Sequence, residues 1–401
     1  MDEAGAPDQI AIRCTIMRGG TSKGVYLLEQ DIPGAGLMRD RLLKRLMGTP
    51  DILQIDGLGG SRLITSKIAI VGRSTGPDAD IDYTYAQVVP ERDMVVYTSN
   101  CGNISAGVGP FAIDAGLVAG TAPMTTVRIR NTNTGRLLIA RVPVAGGQAK
   151  TAGSFAIDGV PGTGAEIQMD YARTVGGKTG HMLPTGASVD TILLEDGGAV
   201  RVTVCDVANP CVFVHAADIG LEGGELPDAF TGNTALLDRL REIRGKAAVL
   251  AGLCTDWRCV NEQSPALPLM LLVSPPKACR TMRDTVVATE AMDLQARLVW
   301  YDRCHESMAG TGSMCTAAAS RIEGSVVRQA MAPGAAETNR LRIGHPMGVM
   351  TVTVEAQPTN APGGVAFRTL AFSRTARRIM DGVTYVPRET STPGANLQRS
   401  L

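Results

Sequence analysis

Runs of alternating apolar and polar residues, rich in Val, Ile and Thr and bounded by Gly, Pro, Asn and Asp, recur along the chain. They fall at residues 67–71, 81–89, 126–130, 137–144, 200–207, 212–215, 268–273 and 350–354. A period of two with β-branched side chains predicts strands. Helical spacing is sparser. Apolar residues lie three and four apart over 35–47 and 233–252, which predicts two amphipathic helices. Many strands with few helices predict an α+β architecture, not a doubly wound parallel sheet.

Two segments break the alternation. Residues 100–118 read NCGNISAGVGPFAIDAGLV, and residues 308–326 read MAGTGSMCTAAASRIEGSV. Both are rich in small residues and uncharged through their first dozen positions. At one constant offset Gly102 falls on Gly310, Ser105 on Ser313, Gly116 on Gly324 and Val118 on Val326. Each predicts a buried helix that starts at a Gly-rich turn and ends at a Gly cap. An apolar helix must be covered on all sides, so each predicts a sheet curled round it. The shared offset predicts an internal duplication. A boundary is expected in the Gly-rich stretch 176–184, a hairpin loop at 356–364, and a frayed polar tail at 390–401.

Composition narrows the class. The 401 residues carry 39 basic and 39 acidic side chains, and 4% are aromatic. A chain without net charge or stacking platforms is not expected to bind nucleic acid or an acidic membrane. No apolar run approaches the about 18 residues of a membrane span. The acidic opening Met1-Asp2-Glu3-Ala4 lacks the apolar core of a secretory signal. Nine scattered Cys, an odd count, suggest reduced thiols in a cytoplasmic setting. The four His are far apart, and the nearest Cys pairs (Cys254/Cys259 and Cys205/Cys211) have no matching second pair, so no metal site is expected. Phosphate-binding loops of the GxxxxGK[ST] or strand-GxGxxG-helix type are absent.

Four places carry candidate chemistry. Cys101 sits in Asn100-Cys101-Gly102-Asn103 at the start of the first small-residue helix, where N–H groups and the helix dipole stabilise a thiolate. Lys67, after Ser66, leads an apolar strand, where desolvation favours the neutral amine, a usable base. The same residue in a less buried place would be an ordinary surface lysine. The run Arg18-Gly19-Gly20-Thr21-Ser22-Lys23 offers glycines, hydroxyls and two cations to a carboxylate. Ala309-Gly310-Thr311-Gly312-Ser313 offers backbone N–H groups at the second helix start, with no acid/base side chain at Ala309. Lesser candidates are the turns at Thr185-Gly186 and Ala208-Asn209-Pro210, and His345 in Gly344-His345-Pro346.

The strings MRGGTSKG (17–24), IDGLGG (55–60), TSKIAIV (65–71) and NCGNISAGVGPFAIDAGLV (100–118) resemble the PrpF family. So do LPTGASVD (183–190), ANPCVFV (208–214), AGTGSMCTAAA (309–319), GHP (344–346) and SRTARRIMDG (373–382), which extends the resemblance over nearly the whole chain. Members include 2-methylaconitate cis-trans isomerase, 4-oxalomesaconate tautomerase, methylitaconate delta-isomerase and aconitate delta-isomerase. The resemblance implies a diaminopimelate-epimerase-like fold: two pseudo-symmetric domains, each a β-barrel-like sheet around a central helix, with the site in the cleft between them. It places the domains at 1–182 and 183–401, with 366–401 able to return to the first.

Epimerases of this fold use one cysteine at each helix start. Cys101 matches the first position, but Ala309 stands at the second, which argues against two-thiol racemisation. Cys315, six residues further on, is expected in the core. The resemblance instead implies a cofactor-independent allylic isomerase of an unsaturated di- or tricarboxylate, with Lys67 as proton carrier. Cys101 is either its acid/base partner or a group that orients substrate. Arg18, Gly19, Gly20, Thr21, Ser22, Lys23, Ser66, Asn100, Gly102, Asn103, Thr185, Gly186, Asn209, Ala309, Gly310, Thr311, Gly312 and Ser313 are the candidate binding residues. An aconitate or methylaconitate-type tricarboxylate is the first expectation, oxalomesaconate the next. A racemase on the same fold and a non-catalytic carboxylate-binding protein are the alternatives. A homodimer is one open arrangement, with no sequence feature to rest it on.

Overall fold

The computed structural model describes residues 8–98, 100–300, 303–360 and 363–388. The expectations for residues 1–4 and 390–401 lie outside the described residues. In the first half β1 (Gln9–Gly19), β2 (Ser22–Leu28), α1 (Leu37–Met47), β3 (Lys67–Arg73), β4 (Ile81–Val88), β5 (Val95–Val96), α2 (Gly102–Asp114), β6 (Met124–Asn131) and β7 (Arg136–Ala145) follow in order. Short β8 (Gln148–Ala149) and β9 (Ile167–Asp170) close it. The second half begins with β10 (Asp190–Leu193), β11 (Ala199–Val207), β12 (Asn209–His215), α3 (Thr234–Leu250), α4 (Val260–Gln263) and β13 (Leu269–Ser274). A separate two-strand ribbon, β14 (Cys279–Arg280) and β15 (Val286–Val287), precedes β16 (Leu294–Trp300), β17 (Arg303–Cys304), α5 (Gly310–Ala319) and α6 (Val326–Gln329). The chain then runs through β18 (Arg340–His345), β19 (Gly348–Pro358), β20 (Val365–Arg374) and β21 (Ala376–Pro387).

The two halves repeat one another strand by strand. In the first, β1 and β2 are an antiparallel hairpin, α1 crosses over, and β2 runs parallel to β3. Then β3 pairs antiparallel with β4, β4 runs parallel to β6 round α2, and β6 pairs antiparallel with β7. In the second, β11–β12, α3, β13, β16, α5, β18 and β19 take the same steps with the same strand directions. The expected duplication is therefore a duplication of fold. Residues 365–387 join the halves, because β20 pairs with both β19 and β9, and β21 pairs along β1.

Alternation decides what each sheet face meets. Ile68 and Ile70 of β3 pack outward with Leu42, Leu43 and Leu46 of α1. Ala69 and Val71 pack inward with Ile104 and Val108 of α2. Lys67 has the parity of Ala69 and Val71 and so belongs to the inner face. In the second half Met270 and Leu272 pack with Leu236, Leu240 and Ile243 of α3. Leu269, Leu271 and Val273 turn inward to the cluster that holds Met314 and Cys315 of α5. Each fully buried side chain of this size contributes about 1.5–3 kcal/mol, and covering both faces explains the continuous apolar runs of β11–β13.

Some expectations hold and others are corrected. Residues 17–24 form the end of β1, a turn at Gly20-Thr21 and the start of β2, with Gly19 paired to Ser22. The turn expected at 208–210 narrows to Ala208 (φ 63°), because Val207 already pairs with Asn209. α2 ends where expected, with Gly116 at φ 72° just beyond it. α5 instead stops at Ala319, short of Gly324. The Ser320 and Ser325 hydroxyls donate to Ala317 O and Ala319 O, each at 2.7 Å, and these carbonyls no longer serve a continuing helix. The loop expected at 356–364 is shorter, since strand pairing persists to Pro358 and Val365. Its residues 361–362 lie outside the described residues. All nine cysteines are free thiols, with Cys315 in the core. Among the described residues no helix is long and apolar enough to cross a membrane.

Candidate active site

The inner faces of the halves meet at the starts of α2 and α5. A Cβ placed on Gly102 would lie 2.8 Å from Gly310 Cα, and one on Gly310 would lie 2.9 Å from Gly102 Cα. Only glycine allows that approach. The first N–H groups of both helices have no carbonyl partner within their own helix, so two sets of donors open on one place. The junction is tied across the halves. Asn100 N donates to Asn209 Oδ1 at 3.0 Å, and Asn209 Nδ2 donates to Asn100 O at 2.9 Å and to Thr311 Oγ1 at 3.0 Å.

Cys101 caps the N-terminus of α2, and Lys67 opens β3 on the inner face. Each is 5% exposed, and Lys67 Nζ lies 3.2 Å from Cys101 Sγ. A proton can pass across that distance directly. Beside them Tyr85 donates to Gln87 Oε1 at 2.5 Å, and Gln87 donates from Nε2 to Ser66 O at 2.9 Å. Burial, and then the charge of Cys101, push the Tyr85 phenol well above its ordinary range, so it stays protonated. Lys67, Tyr85, Gln87 and Cys101 form one wall of a tight pocket. The second half contributes Leu269, Leu298, Trp300, His305 and Ala309, with Asn209 and Thr311 at the junction.

Leu63, Trp300 and His305 also line an adjoining cavity of about 380 Å³, which carries Arg62 and Arg303. These guanidiniums pair with Glu306 and Glu91. Such exposed pairs are weak and exchange readily for an incoming carboxylate. On another side of the α2 start, a cavity of about 330 Å³ is lined by Thr21, Ser307, His345 and Arg374. There Asn103 Oδ1 accepts from Arg374 Nε at 3.0 Å and Thr21 N at 3.4 Å, and the Thr21 and Ser307 hydroxyls lie 2.9 Å apart. Burial lowers the Arg374 guanidinium to about 10.

The candidates read from the sequence separate into groups. Lys67, Cys101, Asn100, Asn209, Ala309 and Thr311 line the tight pocket, and Gly102 and Gly310, each next in sequence to a lining residue, are in mutual contact. Ser66 lies behind it, its hydroxyl 2.5 Å from Gln54 Oε1. Gly19 and Gly20 press against Asn103, where a Cβ would come within 2.5 Å and 2.3 Å of its oxygens. Arg18 donates to Gly20 O at 2.9 Å and Thr375 O at 2.8 Å, bracing that turn. Ser22 is buried with its hydroxyl unpartnered, and a Cβ on Gly60 would come within 3.4 Å of Lys23 Nζ. Gly312 packs on Leu298, and Ser313 donates to Gly310 O at 2.8 Å inside its helix. Thr185 and Gly186 form a turn of their own, with Thr185 donating to Asp190 Oδ2 at 2.7 Å, outside the pocket lining.

Tyr85, Gln87, Trp300, His305, Arg62 and Arg303 line these cavities without having been singled out. Parity places Tyr85 and Gln87 with Lys67 once β3 is paired to β4. Nothing local marks His305 or Arg303. Among the described residues no group of three or more His, Cys, Asp or Glu side chains is placed to hold a metal ion.

The architecture is that of the epimerases. A hydroxyproline epimerase from Agrobacterium vitis, solved with trans-4-hydroxy-L-proline bound, superposes at a TM-score of 0.53 over 94% of this chain and 93% of its own, at 14% identity. At that identity the likeness concerns the fold alone. Residues 9–387 match the PrpF protein family, and the chain belongs to it. A 3-methylitaconate isomerase from Eubacterium barkeri is 46% identical over 94% of this chain and 98% of its own length. A 4-oxalomesaconate tautomerase from Pseudomonas putida is 39% identical over 95% and 98%. The crystal structure of a methylitaconate-delta-isomerase superposes at a TM-score of 0.77 with 45% identity, over 97% of this chain and 99% of that one. The protein is an isomerase.

Proposed function

We propose that the protein moves a double bond in an unsaturated di- or tricarboxylate by a 1,3-proton shift, without a cofactor, with Lys67 as proton carrier and Cys101 as its partner. The observation that carries this reading is the 3.2 Å contact between Lys67 Nζ and Cys101 Sγ on one wall, facing Ala309 and Leu269 on the other. Racemisation needs a group to remove a proton from one face and a second to deliver it to the opposite face. Ala309 and Leu269, at the positions matching Cys101 and Lys67, can do neither, and burial and Lys67 keep His305, the titratable side chain beside them, from the charged acid form. A base with groups on one wall only returns its proton to the same face, at the far end of the conjugated system.

In that step the base takes a proton from the allylic carbon. The C–H electron pair becomes the new double bond, and the old π pair moves toward the carboxylate or keto oxygens as a dienolate. The same pair of side chains then protonates the other end. The N–H groups at Gly102 and Gly310 suit the developing oxyanion, and Arg62 and Arg303 suit the outer carboxylates. The names of the relatives favour methylitaconate first, then oxalomesaconate and methylaconitate. We take the chain as two epimerase-like units, 1–182 and 183–401, with β20 and β21 shared.

Proton NMR in D₂O on a panel of methylitaconate, 2-methylaconitate, cis- and trans-aconitate and oxalomesaconate tests the reading. A shifted double bond in one compound is the expected result. Loss of configuration in a chiral acid without a moved double bond would favour the racemase. Silence across the panel, with ligand-induced stabilisation, would favour the binding protein.

A further inference from the structure

His305 follows the short strand β17 and lines the pocket opposite Lys67 and Cys101. Its Nδ1 accepts the backbone N–H of Ser307 at 3.0 Å. A nitrogen that accepts cannot carry the proton, so the neutral ring is protonated at Nε2. Among the described residues Nε2 is enclosed and has no hydrogen-bond partner. An enclosed donor left unpaired costs stability, of the order of a lost hydrogen bond, and calls for an acceptor that arrives from outside. The ring lines both the pocket of Lys67 and Cys101 and the adjoining cavity of Arg62 and Arg303, so an acceptor entering from that cavity reaches it beside the reactive pair.

We infer that His305 presents Nε2–H as a neutral hydrogen-bond donor to the substrate oxygen that gains charge in the dienolate. The inference rests on the isomerase reading above and adds a specific electrophilic residue to it. Two surrounding features keep the ring neutral: enclosure and the nearby Lys67. Burial, then Lys67, lowers its titration to about 3, so it remains a donor across the working pH range. A neutral donor does not compete with the base for the proton, whereas an imidazolium would supply a second acid on the opposite wall.

Two measurements test it. With the panel compound that the wild type turns over, His305→Leu should lower kcat by about 10²–10³-fold, the usual loss of one oxyanion donor. His305→Gln, which keeps an N–H at that reach, should recover all but about 10-fold of it. A His305→Leu variant with unchanged kcat, or one with only KM raised, overturns the assignment. Long-range ¹H–¹⁵N correlation of the four histidine rings, with His305 identified by its loss in His305→Gln, gives a readout independent of turnover. The expected signal is an Nε2-protonated ring that does not titrate between pH 5 and 8. A ring protonated at Nδ1, or titrating near 6.5, contradicts the inference even if the isomerase reading stands. An inactive wild type with an Nε2-protonated ring counts against the isomerase reading and removes the catalytic role of His305 with it.

Discussion

The two halves share a strand order, a crossover helix and a buried helix, yet they line their common pocket with opposite chemistry. Where the first half supplies Lys67, Tyr85, Gln87 and Cys101, the second supplies Leu269, Leu298, Trp300 and Ala309, with His305 as its one titratable side chain in the lining. Leu269 and Trp300 flank the Met270–Val299 pair, as Lys67 and Gln87 pair across β3 and β4. At the matching fold positions the first half therefore holds Lys67 and Cys101, the proposed proton carriers, and the second holds Leu269 and Ala309. The apolar wall excludes water and strengthens the charges opposite. On the proposed mechanism, the choice between inverting a centre and moving a double bond rests on which half keeps its reactive side chains.

The most severe way to break the asymmetry is Lys67→Met, which puts an apolar side chain at the position that Leu269 matches in the second half. It should abolish measurable turnover while the far-ultraviolet circular dichroism stays that of the wild type. Near-normal turnover would remove Lys67 from the reaction. Cys101→Ala copies Ala309 into the first half and should lower kcat by about 10²–10⁴-fold if the thiol carries a proton. A fall of less than about 10-fold, with raised KM, would make it an orienting group.

Smaller effects test the junction. Gly310→Ala puts a methyl 2.8 Å from Phe372 Cζ and 2.9 Å from Gly102 Cα. Overpacking of this kind should cost about 1–3 kcal/mol in urea unfolding. pH gives an independent probe through His345, which is buried and lowered to about 3, first by burial and then by Arg374. In the unfolded chain it titrates near 6.5. Between those values the unfolded state takes up a proton that the folded state refuses. Stability should therefore fall as pH drops below about 6.5, by at most about 1.4 kcal/mol per pH unit from this residue. Unfolding of His345→Gln across pH 7 to 5 should show a shallower fall than the wild type. Least costly is Tyr26→Phe, which removes the 2.6 Å bond from the phenol to Ile104 O on α2 and should cost about 1 kcal/mol.

Much of the architecture was legible in the chain because period and cap are local signals. The strand at 81–89 and the helix at 35–47 lie within two residues of Ile81–Val88 and Leu37–Met47. Lys67 and Cys101 stand out by context, one at the head of an apolar strand and one before a small-residue helix. That they meet, across 34 residues of chain, is a product of sheet register. The hairpin of β1 and β2 stayed hidden because Gly19-Gly20-Thr21 serves turn and close packing at once. β21 was missed because nearly all of it is exposed or half-buried on both faces, Ile379, Met380, Val383 and Tyr385 included, so it lacks a core pattern. His305 was illegible for another reason. Its significance lies in an Nδ1 taken up by its own turn and an Nε2 left free, and only a folded backbone supplies either.

The account's central claim is that proton transfer occurs on one wall. Turnover in D₂O of aconitate labelled stereospecifically with deuterium in its CH₂ group tests it most directly, because its newly protonated =CH– carbon becomes a CHD centre. The account predicts a shifted double bond, with solvent deuterium entering the same face of the substrate that loses its hydrogen. Entry on the opposite face, entry on both faces, or exchange with inversion and no moved double bond would contradict it.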